Sequence, residues 1–216
     1  MGKVRVHNFS ISVDGYGAGP EQSLDNPLGV GGERLHTWAF KTRAGRQMLG
    51  QPGGEEGVDN DFWLRGDDGI GATIMGRNMF GPIRGPWGDE EWKGWWGDEP
   101  PYHHPVFVLT HNARAPITMQ GGTTFHFVTD GIESALERAR DAAGDSDVRI
   151  GGGVGTIQQY LRSGLIDDMH VAIVPILLGR GEWLFDHLDV GLDGYDCVEF
   201  VASPTVAHAR IARVKQ

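Results

Sequence analysis

The chain has 216 residues and a mass of 23.6 kDa, the length of one domain with a full hydrophobic core. Its 19 lysines and arginines stand against 29 aspartates and glutamates, a formal charge of −10 that argues against a basic nucleic-acid-binding face. The single cysteine, Cys197, excludes an internal disulfide and a cysteine-based metal cluster, no apolar run approaches the roughly 20 residues of a membrane span, and the first residues lack a secretory apolar core. A soluble, cytoplasmic protein without membrane or nucleic-acid partners is expected.

Val4, Val6 and Phe9 lead through Ser10-Ile11-Ser12-Val13 into Asp14-Gly15-Tyr16-Gly17, which predicts an apolar, central strand ending in a glycine-rich turn. Ala18 to Gly32 is polar and punctuated by glycine and proline. Glu33 to Phe40 then has helical spacing at Leu35, Trp38 and Ala39. Ala44 to Gly57 reads as a glycine-rich insertion, and Val58 to Leu64 as a short helix burying Phe62 and Trp63.

Gly69 to Phe80 predicts a strand that ends at Gly76-Arg77-Asn78, where a helical turn begins. A glycine there permits close approach, and Arg77 offers a forked cation to a phosphate; the competing reading is an arginine that caps the turn or stays solvated. Between Gly81 and Pro105 lies a loop with Trp87, Trp92, Trp95, Trp96 and Tyr102, suited to a substrate lid, a subunit contact or a self-packed surface loop. Large aromatics more commonly meet the last two fates. His103 and His104 are adjacent and lack a carboxylate at helical ligand spacing, so no metal site is expected.

Val106 to Leu109 is a buried strand ending in Thr110-His111-Asn112-Ala113-Arg114, polar groups suited to an adenosine phosphate or to an ordinary loop. Thr124 to Val128 is a further strand, followed by a helix with Thr129 or Asp130 as its cap and Ile132, Leu136 and Ala139 as its apolar stripe. Val148-Arg149-Ile150 then runs into Gly151-Gly152-Gly153, and Val154, Ile157 and Leu161 share one face of the next helix. Strand, tight turn and helix start leave bare amides that attract an anion, a phosphate above all; close packing of helix on sheet is the alternative. The glycines lack the register of the six-residue dinucleotide fingerprint, and no Lys-Ser or Lys-Thr pair of a P-loop follows.

Ile166 to Val174 predicts a strand closed by Pro175 and the turn Gly179-Arg180-Gly181, and residues 196–202 and 205–214 predict an antiparallel pair joined at Ser203-Pro204. The expectation is an α/β fold of one domain, residues 1–216. It has a mixed, mostly parallel sheet with helices on both faces, antiparallel C-terminal strands, and insertions at about 44–64 and 81–105.

Five motifs follow in order: Ser12-Val13-Asp14-Gly15, Ile74-Met75-Gly76-Arg77, Val108-Leu109-Thr110, Ile150-Gly151-Gly152-Gly153 and Pro175-Ile176-Leu177-Leu178-Gly179-Arg180-Gly181. The set resembles the dihydrofolate reductase superfamily. It looks most like the reductase-domain family of the bifunctional riboflavin-biosynthesis protein, whose Pro-x-x-Leu-Gly-x-Gly pattern the last motif matches.

The resemblance implies NADPH as hydride donor and a C=N or C=O of a pyrimidine- or pterin-like small molecule as acceptor, as in 5-amino-6-(5-phosphoribosylamino)uracil reductase. By the same likeness Gly76, Arg77 and Asn78 contact cofactor phosphate, and Thr110 with His111 and Asn112 meets the adenosine 2′-phosphate. Gly152, Gly153, Val154, Gly155 and Thr156 lie under the pyrophosphate and nicotinamide, and Asp14 is the acid in the loop over the active site. Folate reductases carry a carboxylate on the first helix, where Leu35-His36-Thr37 has none and Glu33 is the nearest acid, which argues against dihydrofolate as acceptor. No preceding deaminase segment is expected, and the insertions are long. A stand-alone reductase with a divergent acceptor is therefore expected, forming a homodimer through terminal strands and aromatic loops. The alternative is a non-catalytic NADPH- or nucleotide-binding protein of the same fold.

Overall fold

The structure, a computed structural model, describes residues 2–81, 85–88, 91–186, 188 and 194–214. Its strands are β1 (Val4–Ser12), β2 (Tyr16–Ala18), β3 (Ile70–Gly76), β4 (Pro105–Leu109), β5 (Ile117–Thr118) and β6 (Thr124–Val128), followed by β7 (Asp147–Gly152), β8 (Asp168–Val174), β9 (Glu182–Trp183), β10 (Tyr195–Ala202) and β11 (Ala207–Arg213). The helices are α1 (Thr37–Lys41), α2 (Arg43–Met48), α3 (Val58–Asp67), α4 (Arg77–Phe80), α5 (Ile132–Ala143) and α6 (Val154–Arg162).

Nine strands form one sheet in the order β10-β11-β8-β1-β7-β3-β4-β6-β5, while β2 and β9 make a separate two-stranded ribbon. From β8 to β6 all neighbours are parallel; β11 joins β8, β10 joins β11 and β5 joins β6 antiparallel. This is the mixed, mostly parallel sheet with antiparallel C-terminal strands that the sequence predicted.

The pleat sends successive side chains to opposite faces, and each face has its own core. Val171 and Ile173 of β8 point to a cluster with Ile132, Leu136 and Ala139 of α5 and Val154, Ile157 and Leu161 of α6. Ala172 and Val174 point the other way, to Leu35 and Trp38. Farther along that second face, Met75, Val106, Val108 and Phe125 close around Phe80 of α4.

Several local expectations change: the expected insertion from Ala44 holds most of helix α2, and α3 buries Phe62 but leaves Trp63 half-buried. The helix expected over Glu33 to Phe40 is a 3-10 turn, Gly32–His36, running into α1, although Leu35, Trp38 and Ala39 are all buried as the spacing required. α5 is capped by Gly131 at φ 98°, not by Thr129 or Asp130. The Asp130 carboxylate instead accepts hydrogen bonds from Ser134 Oγ and Arg138 Nη2, both at 2.8 Å, so it serves side chains of the helix instead of its amides.

Helix α3 covers the sheet at β8 and β11 through a polar chain that sequence reasoning did not foresee. The Asn8 amide donates to His170 Nδ1 at 3.1 Å, which leaves the His170 proton on Nε2 for His208 Nδ1, 3.0 Å away. His208 Nε2 then donates to Asp59 Oδ1 of α3 at 3.0 Å. Phe62 stacks on the His208 ring with centroids 4.1 Å apart, and both histidines are fully buried.

Candidate cofactor cleft

β3 and β7 run parallel with Met75 opposite Gly152, so the two glycine-bearing strand ends stop side by side at the carboxyl edge of the sheet. There Gly76 packs against the start of α6: a Cβ on Gly76 would lie 2.5 Å from Thr156 Oγ1 and 3.6 Å from Gly153 N. α6 begins at Gly153 without a side-chain cap, and the Thr156 and Ile157 amides both return to Gly153 O, at 3.0 and 3.2 Å. Helix geometry gives the Val154 and Gly155 amides no partner within the helix, and a Cβ on Gly155 would meet open space.

A cleft of about 530 Å³ opens over this seam. It brings together Gly76, Arg77 and Asn78 after β3, Thr110, His111 and Asn112 after β4, and Gly153, Val154, Gly155 and Thr156 after β7. Residues remote in the chain meet because β4, β3 and β7 are successive strands of one parallel sheet, whose carboxyl ends all open on the same edge.

Gly152 and Asp14 do not line it. Gly152 is buried at φ 123°, where a Cβ would lie 3.2 Å from Phe9 Cε2, so it sets the path of the turn beneath the cleft. The Asp14 carboxylate accepts from the amides of Leu178 at 3.2 Å and Gly179 at 2.7 Å, tying the end of β1 to the Pro175–Gly181 motif. Hydrogen bonds from the Ser12 side chain and these amides hold its carboxyl below the usual carboxylate range. This is a turn-holding placement for the residue expected as the catalytic acid.

Arg77 Nη1 donates to Gly85 O at 3.1 Å and to Thr110 Oγ1 at 3.2 Å, and its guanidinium carbon lies 3.2 Å from the Trp87 ring centroid. Trp87 in turn donates from Nε1 to Asn112 O at 2.8 Å, and Trp92 donates to Phe80 O at 2.9 Å. Both indoles pack on the Phe80 cluster, so these tryptophans follow the self-packed reading; residues 82–84, 89 and 90 of the loop lie outside the described residues. His103 and His104 diverge, the first bonding Gly121 O at 2.8 Å and the second Thr73 Oγ1 at 2.7 Å.

Sequence reasoning missed one wall of the cleft: Gln158, Gly181, Glu182, Trp183 and Asp186. The glycines of the Pro175–Gly181 motif pointed near it. Its placement comes from distant pairings, with Tyr16 of β2 opposite Trp183 of β9 and Gln158 Nε2 donating to Trp183 O at 2.8 Å. The cleft lining thus includes Arg77 and two carboxylates, and a Cβ on Gly153 would lie 4.0 Å from Glu182 Oε2.

The RibD C-terminal domain family matches residues 4–193 of this sequence. The chain belongs to the RibD C-terminal domain family. Membership places it among reductases related to riboflavin biosynthesis.

Over 100% of both chains, this RibD C-terminal domain superposes on a protein from Shewanella sp. PV-4 assigned to riboflavin biosynthesis, with TM-score 0.61 and 24% identity. Over 100% of this chain and 93% of the other it superposes on a pyrimidine reductase-like protein from Corynebacterium diphtheriae, with TM-score 0.54 and 13% identity. A dihydrofolate reductase from Enterococcus faecalis aligns over 73% of this chain and 83% of its own, at TM-score 0.46 and 16% identity. No match was found among curated protein sequences. The fold is shared with the Shewanella and Corynebacterium proteins.

The cleft of this RibD C-terminal domain has groups that would suit a phosphate-bearing cofactor. The uncapped start of α6 offers amides to a diphosphate, with open space above Gly155. Asn78 lines the cleft, and its Oδ1, shut away from solvent, has no hydrogen-bond partner among the described residues.

Proposed function

We propose that this RibD C-terminal domain is an NADPH-dependent reductase that delivers a hydride to a C=N or C=O carbon of a pyrimidine- or pterin-like small molecule. One observation carries the reading: Gly76 and Thr156 close a seam on which the bare amides of α6 and the Arg77 guanidinium share a single cleft. Bound there, NADPH supplies the hydride and the protein supplies alignment. The Val154 and Gly155 amides face a diphosphate, while Arg77 and Thr110 stand at the adenosine end for a 2′-phosphate. Leu35-His36-Thr37 offers no carboxylate to grip a pterin and Glu33 is the nearest acid, which favours an acceptor other than dihydrofolate.

One observation favours the alternative, a nucleotide-binding protein without turnover. The Asp14 carboxylate is engaged by two amides and does not line the cleft. Calorimetry with NADPH and an acceptor screen followed by NADPH absorbance separate the readings. Binding with oxidation by a pyrimidine, pterin or small imine supports the reductase, binding without oxidation supports the alternative, and no heat with NADPH sinks both.

A further inference from the structure

We infer that Trp87 is a positioning residue: its indole face holds the Arg77 guanidinium toward the adenosine end of the cleft and so sets the preference for a 2′-phosphate. The inference rests on the cofactor reading above and adds a residue from the tryptophan-rich loop, which that reading leaves without a role.

Arg77 is the first residue of α4, a helix of four residues, and its long side chain needs something beyond the helix to aim it. Trp87 is that support. The guanidinium carbon stands 3.2 Å from its ring centroid, stacking distance for a planar cation on an aromatic face. The indole is itself anchored, by Nε1 donating to Asn112 O at 2.8 Å and by edge contacts to Phe80 and Phe127 with centroids 5.8 and 5.0 Å away. Arg77 also donates to Thr110 Oγ1, which accepts the Asn112 amide at 3.2 Å. Trp87, Arg77, Thr110 and Asn112 therefore form one closed set. Three of the four line the cleft and Trp87 stands behind them, so its effect on a ligand passes through Arg77.

A general loosening of the cleft would weaken NADPH and NADH alike. A guanidinium that loses its aim weakens only the ligand bearing the extra phosphate.

Calorimetry on the full chain, with NADPH and NADH and with adenosine 2′,5′-bisphosphate against 5′-AMP, tests this in Trp87→Leu, Trp87→Phe, Arg77→Ala and the Arg77→Ala/Trp87→Leu double variant. Trp87→Leu should weaken NADPH and the bisphosphate about tenfold, the scale of a partly buried cation–π contact, and leave NADH and 5′-AMP within about twofold. Trp87→Phe, which keeps a ring face, should retain most of the preference. In the Arg77→Ala background Trp87→Leu should cost nothing more. Equal weakening of all ligands, or additive losses in the double variant, would overturn the role of Trp87 while leaving the cofactor site intact. Wild-type protein that binds neither NADPH nor the bisphosphate would overturn the cofactor reading and this inference together.

Discussion

Gly76 and Thr156 meet where β3 ends and α6 begins, so closely that a Cβ on Gly76 would lie 2.5 Å from the Thr156 hydroxyl oxygen. Gly76 has φ −76°, open to any residue, so space and not backbone conformation demands glycine here. Gly76→Ala should push the buried Thr156 off its rotamer and move the start of α6. We expect a loss of about 1–3 kcal/mol in unfolding free energy and weaker NADPH binding. Denaturant titration and calorimetry read both; an alanine variant with unchanged stability and affinity would show that the seam is looser than the geometry indicates.

Asp14 gives a contrasting expectation. Its carboxylate holds the Leu178 and Gly179 amides but is absent from the cleft lining. Asp14→Ala should speed hydrogen exchange at those two amides and leave NADPH affinity unchanged. A large loss of cofactor affinity with undisturbed exchange would show that the carboxylate acts on the ligand directly.

The buried histidines tie stability to pH. Burial pushes His170 down to about 2, aided by the charges it shares with His208 and His7, and burial also lowers His208 and His7. Facing them are Asp59 and Arg65 of α3, Asp168 of β8, Glu199 of β10 and Arg210 of β11. Above pH 6.5 these imidazoles are neutral folded and unfolded, and they add no pH dependence. As pH falls below 6.5 the unfolded chain takes up protons that the folded chain refuses, so stability should drop by about 1.4 kcal/mol per pH unit for each fully depressed histidine. Asp168 acts in a separate window. Burial raises its pKa, but hydrogen bonds from His7 and Arg210 more than offset this and lower it, so its contribution is present above the ordinary aspartate pKa and lost in stronger acid. Unfolding free energies measured from pH 7.5 to 5 check the histidine term, and a flat profile across that range would contradict it.

The homodimer expectation narrows to the terminal edge of the sheet. β10 ends the strand order and leaves Val198 and Phe200 exposed, whereas Trp87 and Trp92 are engaged within their own chain. An apolar edge strand is a template for pairing. The wild-type chain should elute as a dimer and Phe200→Glu as a monomer on a sizing column; a wild-type monomer would remove the proposal.

Local chemistry in the sequence determined strands β1, β3, β4, β6, β7, β8, β10 and β11, though not the short β2, β5 and β9, together with the apolar stripes of α5 and α6 and the two glycine-bearing strand ends. Periodicity and glycine act over a few residues, and so they can be read in one dimension. Gly76, Arg77, Asn78, Thr110, His111, Asn112 and Gly153 to Thr156 were legible as polar or glycine-rich positions at strand ends, and the parallel order of β4, β3 and β7 gathered them. Other features depended on contacts between distant segments. Asp14 meets Leu178 and Gly179 from 164 and 165 positions away, Gln158 holds Trp183 at the cleft wall, and Trp87 lies against Arg77. Which side chain a carboxylate or an indole finally touches is set by strand register and the path of loops, and no local pattern encodes those.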